Sequence, residues 1–124
     1  MSYSTQQREA LKEVLRETKN PLSAVEIHEL GKLKKPSLGM ATVYRTLKTM
    51  EQEGVIDLVD IPGTVPHYEL GGHRHHHHFF CETCKRVFEL EGCVHEVEEL
   101  APKKFQVHRH EIILYGACEE CVKK

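Results

Sequence analysis

The chain has 124 residues, 40% of them hydrophobic and 29% charged, and a formal charge of −2 when its 10 histidines are neutral. That length fits one domain or two very small ones, and no apolar run reaches the ~18 residues that a membrane-crossing helix needs. Bulk charge gives no pointer to nucleic acid, so any attraction to it must come from a local basic patch or a bound cation.

Residues 5–19 read as a helix, with Ala10, Leu11, Val14 and Leu15 on one apolar face and Arg8, Lys12, Arg16 and Lys19 around it. Asn20-Pro21 stops it. Ser23 and Glu26 then have the spacing of a capping box, in which each side chain satisfies the other's backbone amide at a helix start. A short second helix follows, with Ile27 and Leu30 inward, ending near Gly31; residues 32–36 form a basic turn.

The third helix, about 40–53, places Met40, Val43, Leu47 and Met50 on one side and Ala41, Tyr44, Arg45, Lys48 and Gln52 on the other. The outward face is small, then aromatic, then cationic. It suits a helix that reads a DNA groove, and it suits an ordinary solvated face equally well. Gly54 stands where a left-handed helix stop belongs. Residues 55–61 and 66–70 are β-prone runs around Pro62-Gly63, so they predict a hairpin. Three short helices and a hairpin follow the order of a winged helix-turn-helix. Gly71-Gly72 is the natural hinge before a second half rich in histidine and cysteine.

Two Cys-x-x-Cys pairs, Cys81/Cys84 and Cys118/Cys121, open and close that half. Four soft thiolates within tetrahedral reach suit zinc, and the site would tie the end of the segment to its start. The alternatives are two disulfides or two redox motifs. No secretory signal opens the chain and other cysteines are sparse, which favours a reducing compartment and metal. Just before Cys81 runs His75-His76-His77-His78. In an extended strand alternate side chains face opposite ways, so His75 and His77 share one face and His76 and His78 the other, as two separate metal sites would need. A tag or a solvated polyhistidine loop is the competing explanation.

Phe79-Phe80 and residues 86–90 read as strands with a knuckle at Cys84-Lys85, residues 93–100 as a helix ended by Pro102, and residues 105–115 as the longest β-like run. That run is either a buried central strand or part of a sheet completed across a dimer. Cys93 lies outside both cysteine pairs and is either a packed helix residue or a soft extra ligand.

Gly39 to Leu47 (Gly-Met-Ala-Thr-Val-Tyr-Arg-Thr-Leu), Tyr68-Glu69-Leu70, the run from His75 to Cys84 and the stretch from Leu114 to Cys121 together resemble the ferric-uptake-regulator family of bacterial metal-sensing repressors. The resemblance covers nearly the whole chain, with Thr5 to Arg8 matching the usual opening. It implies an α+β fold: an N-terminal winged helix-turn-helix DNA-binding domain (1–70), a hinge (71–74) and a small α/β dimerisation and metal-binding domain (75–124) carrying a structural zinc site. It also implies a cytoplasmic homodimer that represses transcription by binding double-stranded operator DNA when a divalent metal fills a hinge site, with no membrane partner.

Carried over by position, the structural Zn2+ takes Cys81, Cys84, Cys118 and Cys121. The regulatory metal, Fe2+ or Zn2+ with Mn2+ as a third candidate, takes Glu69, His76, His78 and Glu89. A second site in the dimer lobe takes His75, His77, Glu96 and His110, and the DNA contacts are Tyr44 and Arg45, followed by Arg8, Thr42 and Lys48. Many members place a histidine from the DNA-binding lobe in the regulatory site, where this chain has Pro21. Glu69, Asp60, His67 or His73 must then supply the grip. A short N-terminus also lacks most of the basic arm of longer members.

A peroxide-sensing regulator of the same family is the alternative, though such members usually carry Asp where Glu69 stands. A zinc-dependent thiol enzyme is the remaining rival, and no enzyme is expected. His95-Glu96-Val97-Glu98-Glu99 lacks the second histidine of a metalloprotease helix, the deaminase signature is incomplete, and four thiolates leave no open catalytic position.

Overall fold

A computed structural model describes residues 3–72 and 76–123. The order of elements is α1 (Tyr3–Thr18), β1 (Leu22–Ser23), α2 (Ala24–Lys34), α3 (Met40–Gln52), β2 (Ile56–Val59), β3 (His67–Leu70), β4 (His77–Cys81), β5 (Val87–Leu90), a 3₁₀ helix (His95–Leu100), β6 (Ile113–Gly116) and α4 (Glu119–Val122). It is a mixed helix-and-sheet architecture with two three-stranded sheets, ordered β1-β3-β2 and β5-β4-β6. No helix among the described residues is long and apolar enough to cross a membrane.

The capping box forms as the sequence predicts: Glu26 N–H donates to Ser23 Oγ at 3.2 Å and Ser23 N–H to Glu26 Oε1 at 2.9 Å. α2, however, runs past Gly31 to Lys34. Gly31 is not a helix stop but a point of close approach, because a Cβ there would meet Leu38 Cδ2 at 2.7 Å. α3 buries Val43, Leu47 and Met50 against Leu11, Val14, Ile27 and Ile56, so its inward face is the one its periodicity indicates. Gly54, at φ +78°, turns the chain into β2.

β3 is covered on both faces. Tyr68 and Leu70 pack against the helical core, while His67 and Glu69 are buried on the opposite side, as strand alternation requires. The strand β1 was not expected; Leu22 and Ser23 pair with Tyr68 and His67 just ahead of the helix they cap. Gly71 is tied back to the turn before β2. Its N–H donates to Val55 O at 2.9 Å, and a Cβ would lie 2.8 Å from Gly54 O.

In the second sheet β4 is central, antiparallel to β5 and parallel to β6. A small apolar cluster of Val59, Ile61, Phe80 and Val87, with Ile113 against it, joins residues from before and after the two glycines. The predicted long strand over 105–115 is largely absent: pairing starts at Ile113, and residues 105–109 are exposed. β6 pairs with β4 on one side, and no strand among the described residues is aligned with 105–112. The predicted helix over 93–100 is a 3₁₀ helix beginning at His95.

Candidate metal centres and nucleic-acid face

Among the described residues, three groups of ligand-type side chains converge, each with its atoms within 4.8 Å of one another: Cys81, Cys84, Cys118 and Cys121; Glu69, His76 and His78; and His77, Cys93 and His110.

The thiolate group is assembled by the β4–β5 knuckle and the start of α4. Lys85, at φ +67°, closes the knuckle, with its N–H on Cys81 O at 2.8 Å. The N–H groups of Cys84 and Cys118 both point at Cys81 Sγ, at 3.4 and 3.3 Å. Chiefly through the Cys84 amide, these donors hold the Cys81 thiol down at about 5. Burial and the neighbouring sulfurs push Cys121 up to about 12, so protein groups alone do not ionise all four thiols together. A divalent cation removes that obstacle. Zinc–sulfur bonds of about 2.3 Å in a tetrahedron require sulfurs about 3.8 Å apart, and Cys84 Sγ lies 3.8 Å from Cys118 Sγ. The donor set and spacing therefore fit zinc. Arg86 braces the group by donating to Cys84 Sγ at 3.2 Å, with Nη2 3.7 Å from Cys118 Sγ and 2.9 Å from Glu120.

The second group joins the two sheets. Glu69, on β3, reaches His76 Nε2 at 2.9 Å and His78 Nε2 at 3.4 Å. Glu89 stands further off, 3.9 Å from His76 Nδ1. Burial works to raise the Glu69 carboxyl, but hydrogen bonds from His78 and His76 outweigh it and hold it below the usual carboxylate range. A carboxylate and two imidazoles suit ferrous iron, zinc or manganese. Of the proposed substitutes for the missing histidine, Asp60 lines the adjoining cleft, of about 380 Å³. His67 turns instead to Val65 O at 2.9 Å and Glu26 at 3.7 Å, and His73 lies outside the described residues. Pro21 is buried, and the residue before it makes the cross-link: Asn20 Oδ1 accepts the Glu89 N–H at 2.9 Å.

The third group departs from the expected ligand set. His77 and His110 stack with ring centroids 5.1 Å apart, but their companion is Cys93, 3.3 Å from His77 Nε2 and 2.9 Å from His110 Nε2. Glu96 is exposed and outside the group; Glu98 contacts His110 Nδ1 instead, at 3.3 Å. Glu96, carried over by position from the family, lies on the 3₁₀ helix over His95–Leu100, two residues before the acid that meets His110. His75 lies outside the described residues. The parity of the histidine run holds at the positions described: His76 and His78 meet Glu69, and His77 faces away to Cys93.

On α3, Tyr44, Arg45 and Lys48 are exposed and Thr42 is half-buried; Arg45 Nη2 donates to Thr42 Oγ1 at 3.2 Å. Arg8 is apart from them, paired with Glu53 at 2.7 Å. Sequence reasoning missed Arg86, Asn20 and Glu98. Arg86, two residues beyond Cys84, was the one with a local signal, since a cation beside a thiolate cluster is favourable.

These centres lie on the fold of a metal-responsive transcription regulator: residues 3–115 match the model of the Ferric uptake regulator family, and the chain belongs to that family. The ferric uptake regulation protein of Bacillus subtilis is 37% identical over 94% of this chain and 83% of its own length. The peroxide operon regulator of the same organism is 31% identical, covering 97% of this chain and 84% of its own. Among solved structures, the Helicobacter pylori ferric uptake regulator, described as having three functional metal binding sites, superposes with a TM-score of 0.76. It is 25% identical and covers 95% of this chain and 81% of that one.

Proposed function

We propose that the chain is a cytoplasmic, homodimeric repressor that binds operator DNA when Fe2+, Zn2+ or Mn2+ occupies the group at Glu69, His76 and His78. Residues 1–70 act as the winged-helix DNA-binding part, 71–74 as the joint and 75–124 as the dimerisation and metal-binding part. Cys81, Cys84, Cys118 and Cys121 hold a structural zinc. Tyr44 and Arg45 reach the DNA, with Thr42 and Lys48 beside them; Arg8 contributes only if it leaves Glu53. The observation that carries this reading is the position of Glu69, which comes from the β3 side of the joint and touches two imidazoles from the β4 side.

A metal drawing these three ligands together fixes the pose of the α3 helices, which in a dimer must meet major grooves about 34 Å apart. Moving a protein from mostly open to mostly closed takes a preference of about 10⁴-fold, roughly 5.5 kcal/mol. The Val59–Phe80 apolar cluster and the Asn20–Glu89 bond favour the closed pose already, so the metal need not supply all of it. Glu89 sits close enough to His76 to join the ligands after a small side-chain move. His77 and His110, on the other face of β4, form a second site. The decisive experiment is operator binding against added metal for zinc-loaded parent and His76→Ala/His78→Ala protein. The double variant should lose the metal response and keep one zinc per chain; an unchanged response overturns the proposal.

A further inference from the structure

Beyond the hinge metal, the face of β4 that carries His77 brings together three ligands from separate parts of the chain. His77 lies on the central strand, Cys93 just before the 3₁₀ helix, and His110 on the run that leads into β6. We infer that Cys93, His77 and His110 form a thiolate-containing site that selects zinc over manganese and ferrous iron. Cys93 takes the role expected of Glu96, and Glu98 orients His110 from behind. This rests on the placement of a second site at His77 and His110 and specifies its chemistry.

A zinc ion with sulfur at about 2.3 Å and imidazole nitrogens at about 2.0 Å in a tetrahedron needs sulfur–nitrogen separations of about 3.5 Å. The two observed separations are 3.3 and 2.9 Å, so the ligand atoms need to part by less than an ångström. Glu98 Oε1 near His110 Nδ1 favours a proton on that nitrogen and leaves the Nε2 lone pair facing the sulfur. A ring held by a carboxylate behind it is the usual arrangement of a zinc-ligating histidine. His77 is tied differently. Its Nδ1 accepts the Ile112 N–H at 3.0 Å, so the neutral ring carries its proton on Nε2 and donates to the sulfur. To ligate through Nε2 it must exchange that backbone bond for the metal, which makes Cys93 and His110 the primary pair and couples zinc entry to the chain just before β6. One thiolate with two imidazoles is a softer set than carboxylates with imidazoles, and it disfavours Mn2+ most.

The test uses the full chain with its four-cysteine group filled by zinc and the Glu69 group disabled by His76→Ala/His78→Ala, titrated with Co2+ under anaerobic reducing conditions. One equivalent should enter with tetrahedral visible bands and a near-ultraviolet sulfur-to-cobalt charge-transfer band, all reversed by Zn2+ and not by Mn2+. Adding Cys93→Ser should abolish the charge-transfer band and weaken uptake more than about tenfold, with the structural zinc content unchanged as the check on folding. Adding Glu96→Gln should change neither. His110→Ala, which keeps the thiol, should weaken uptake to a similar degree. Uptake without charge transfer, a band that survives Cys93→Ser, displacement by Mn2+, or parental binding by the His110→Ala protein would each overturn the inference. None of these outcomes touches the hinge reading, which stands or falls on the operator titration of the protein with and without His76 and His78.

Discussion

Replacing Asn20 by alanine removes the acceptor that Glu89 N–H uses across the joint, a bond of 2.9 Å between residues 69 apart in sequence. The pair is partly buried, so water replaces the acceptor incompletely and the closed pose loses on the order of 1 kcal/mol in each protomer. That is about a fivefold fall in the closed-to-open ratio. The fall is felt where the ratio is small. In the metal-free chain, taken as mostly open, it lowers apparent metal affinity by the same factor, whereas a saturated chain stays mostly closed and keeps its operator affinity. The assay is fluorescence anisotropy of labelled operator DNA against free metal concentration. The half-saturating metal concentration for Asn20→Ala should rise about fivefold with the maximal affinity nearly unchanged, and Asn20→Asp, which keeps an acceptor, should stay near the parent. An unchanged midpoint, or a lost maximum at an unchanged midpoint, would refute the idea that this bond belongs to the closing equilibrium.

Arg86→Ala strips the sulfurs of Cys84 and Cys118 of a charged donor, and zinc should pass to a competing chelator at roughly 10- to 100-fold lower chelator strength, read by a chromogenic indicator. Leu47, wholly buried in the helical core, should cost about 2–5 kcal/mol when cut to alanine, measured by urea denaturation of the zinc-loaded protein. Glu69 has a carboxyl held below its usual range, because hydrogen bonds from His78 and His76 overcome the effect of burial. The folded value lies below the unfolded one, so the stabilisation is present above the ordinary carboxylate value of about 4.3 and fades as pH falls through the lower folded value. Glu69→Gln should therefore flatten the acid limb of melting temperature against pH in protein without the hinge metal, and an unaltered limb would contradict the assignment.

What was legible in the chain was what local rules determine. The Ser23–Glu26 box, the buried stripe of α3 and the alternating faces of the histidine run all follow from fixed geometries a few residues long. The Cys-x-x-Cys pairs were legible because the chemistry of four thiolates leaves few other arrangements. What escaped depends on distant partners. Leu22-Ser23 becomes a strand because Tyr68 and His67 are there to pair with it. The run from 105 to 112 has strand-like composition but no aligned strand among the described residues. Cys93 reaches two imidazoles through a tertiary approach that helical periodicity does not encode, and the acid beside His110 is Glu98 rather than Glu96. Gly31 resembles a helix stop in sequence, yet it is a place where another part of the chain comes too close for a side chain.

Neighbouring imidazoles of β4 serve opposite surfaces of one sheet while Cys81, at the end of the same strand, is anchored in the thiolate cluster. The offset between His78 and Cys81 therefore works as an address for two metals at once. Inserting a single residue there, with the cysteines still anchored, would turn the whole histidine run over. His77 would be sent toward Glu69 in place of His76, and His78 toward Cys93 in place of His77, so the Cys93 centre would keep an imidazole while the Glu69 centre lost one of its two, without any ligand having been mutated.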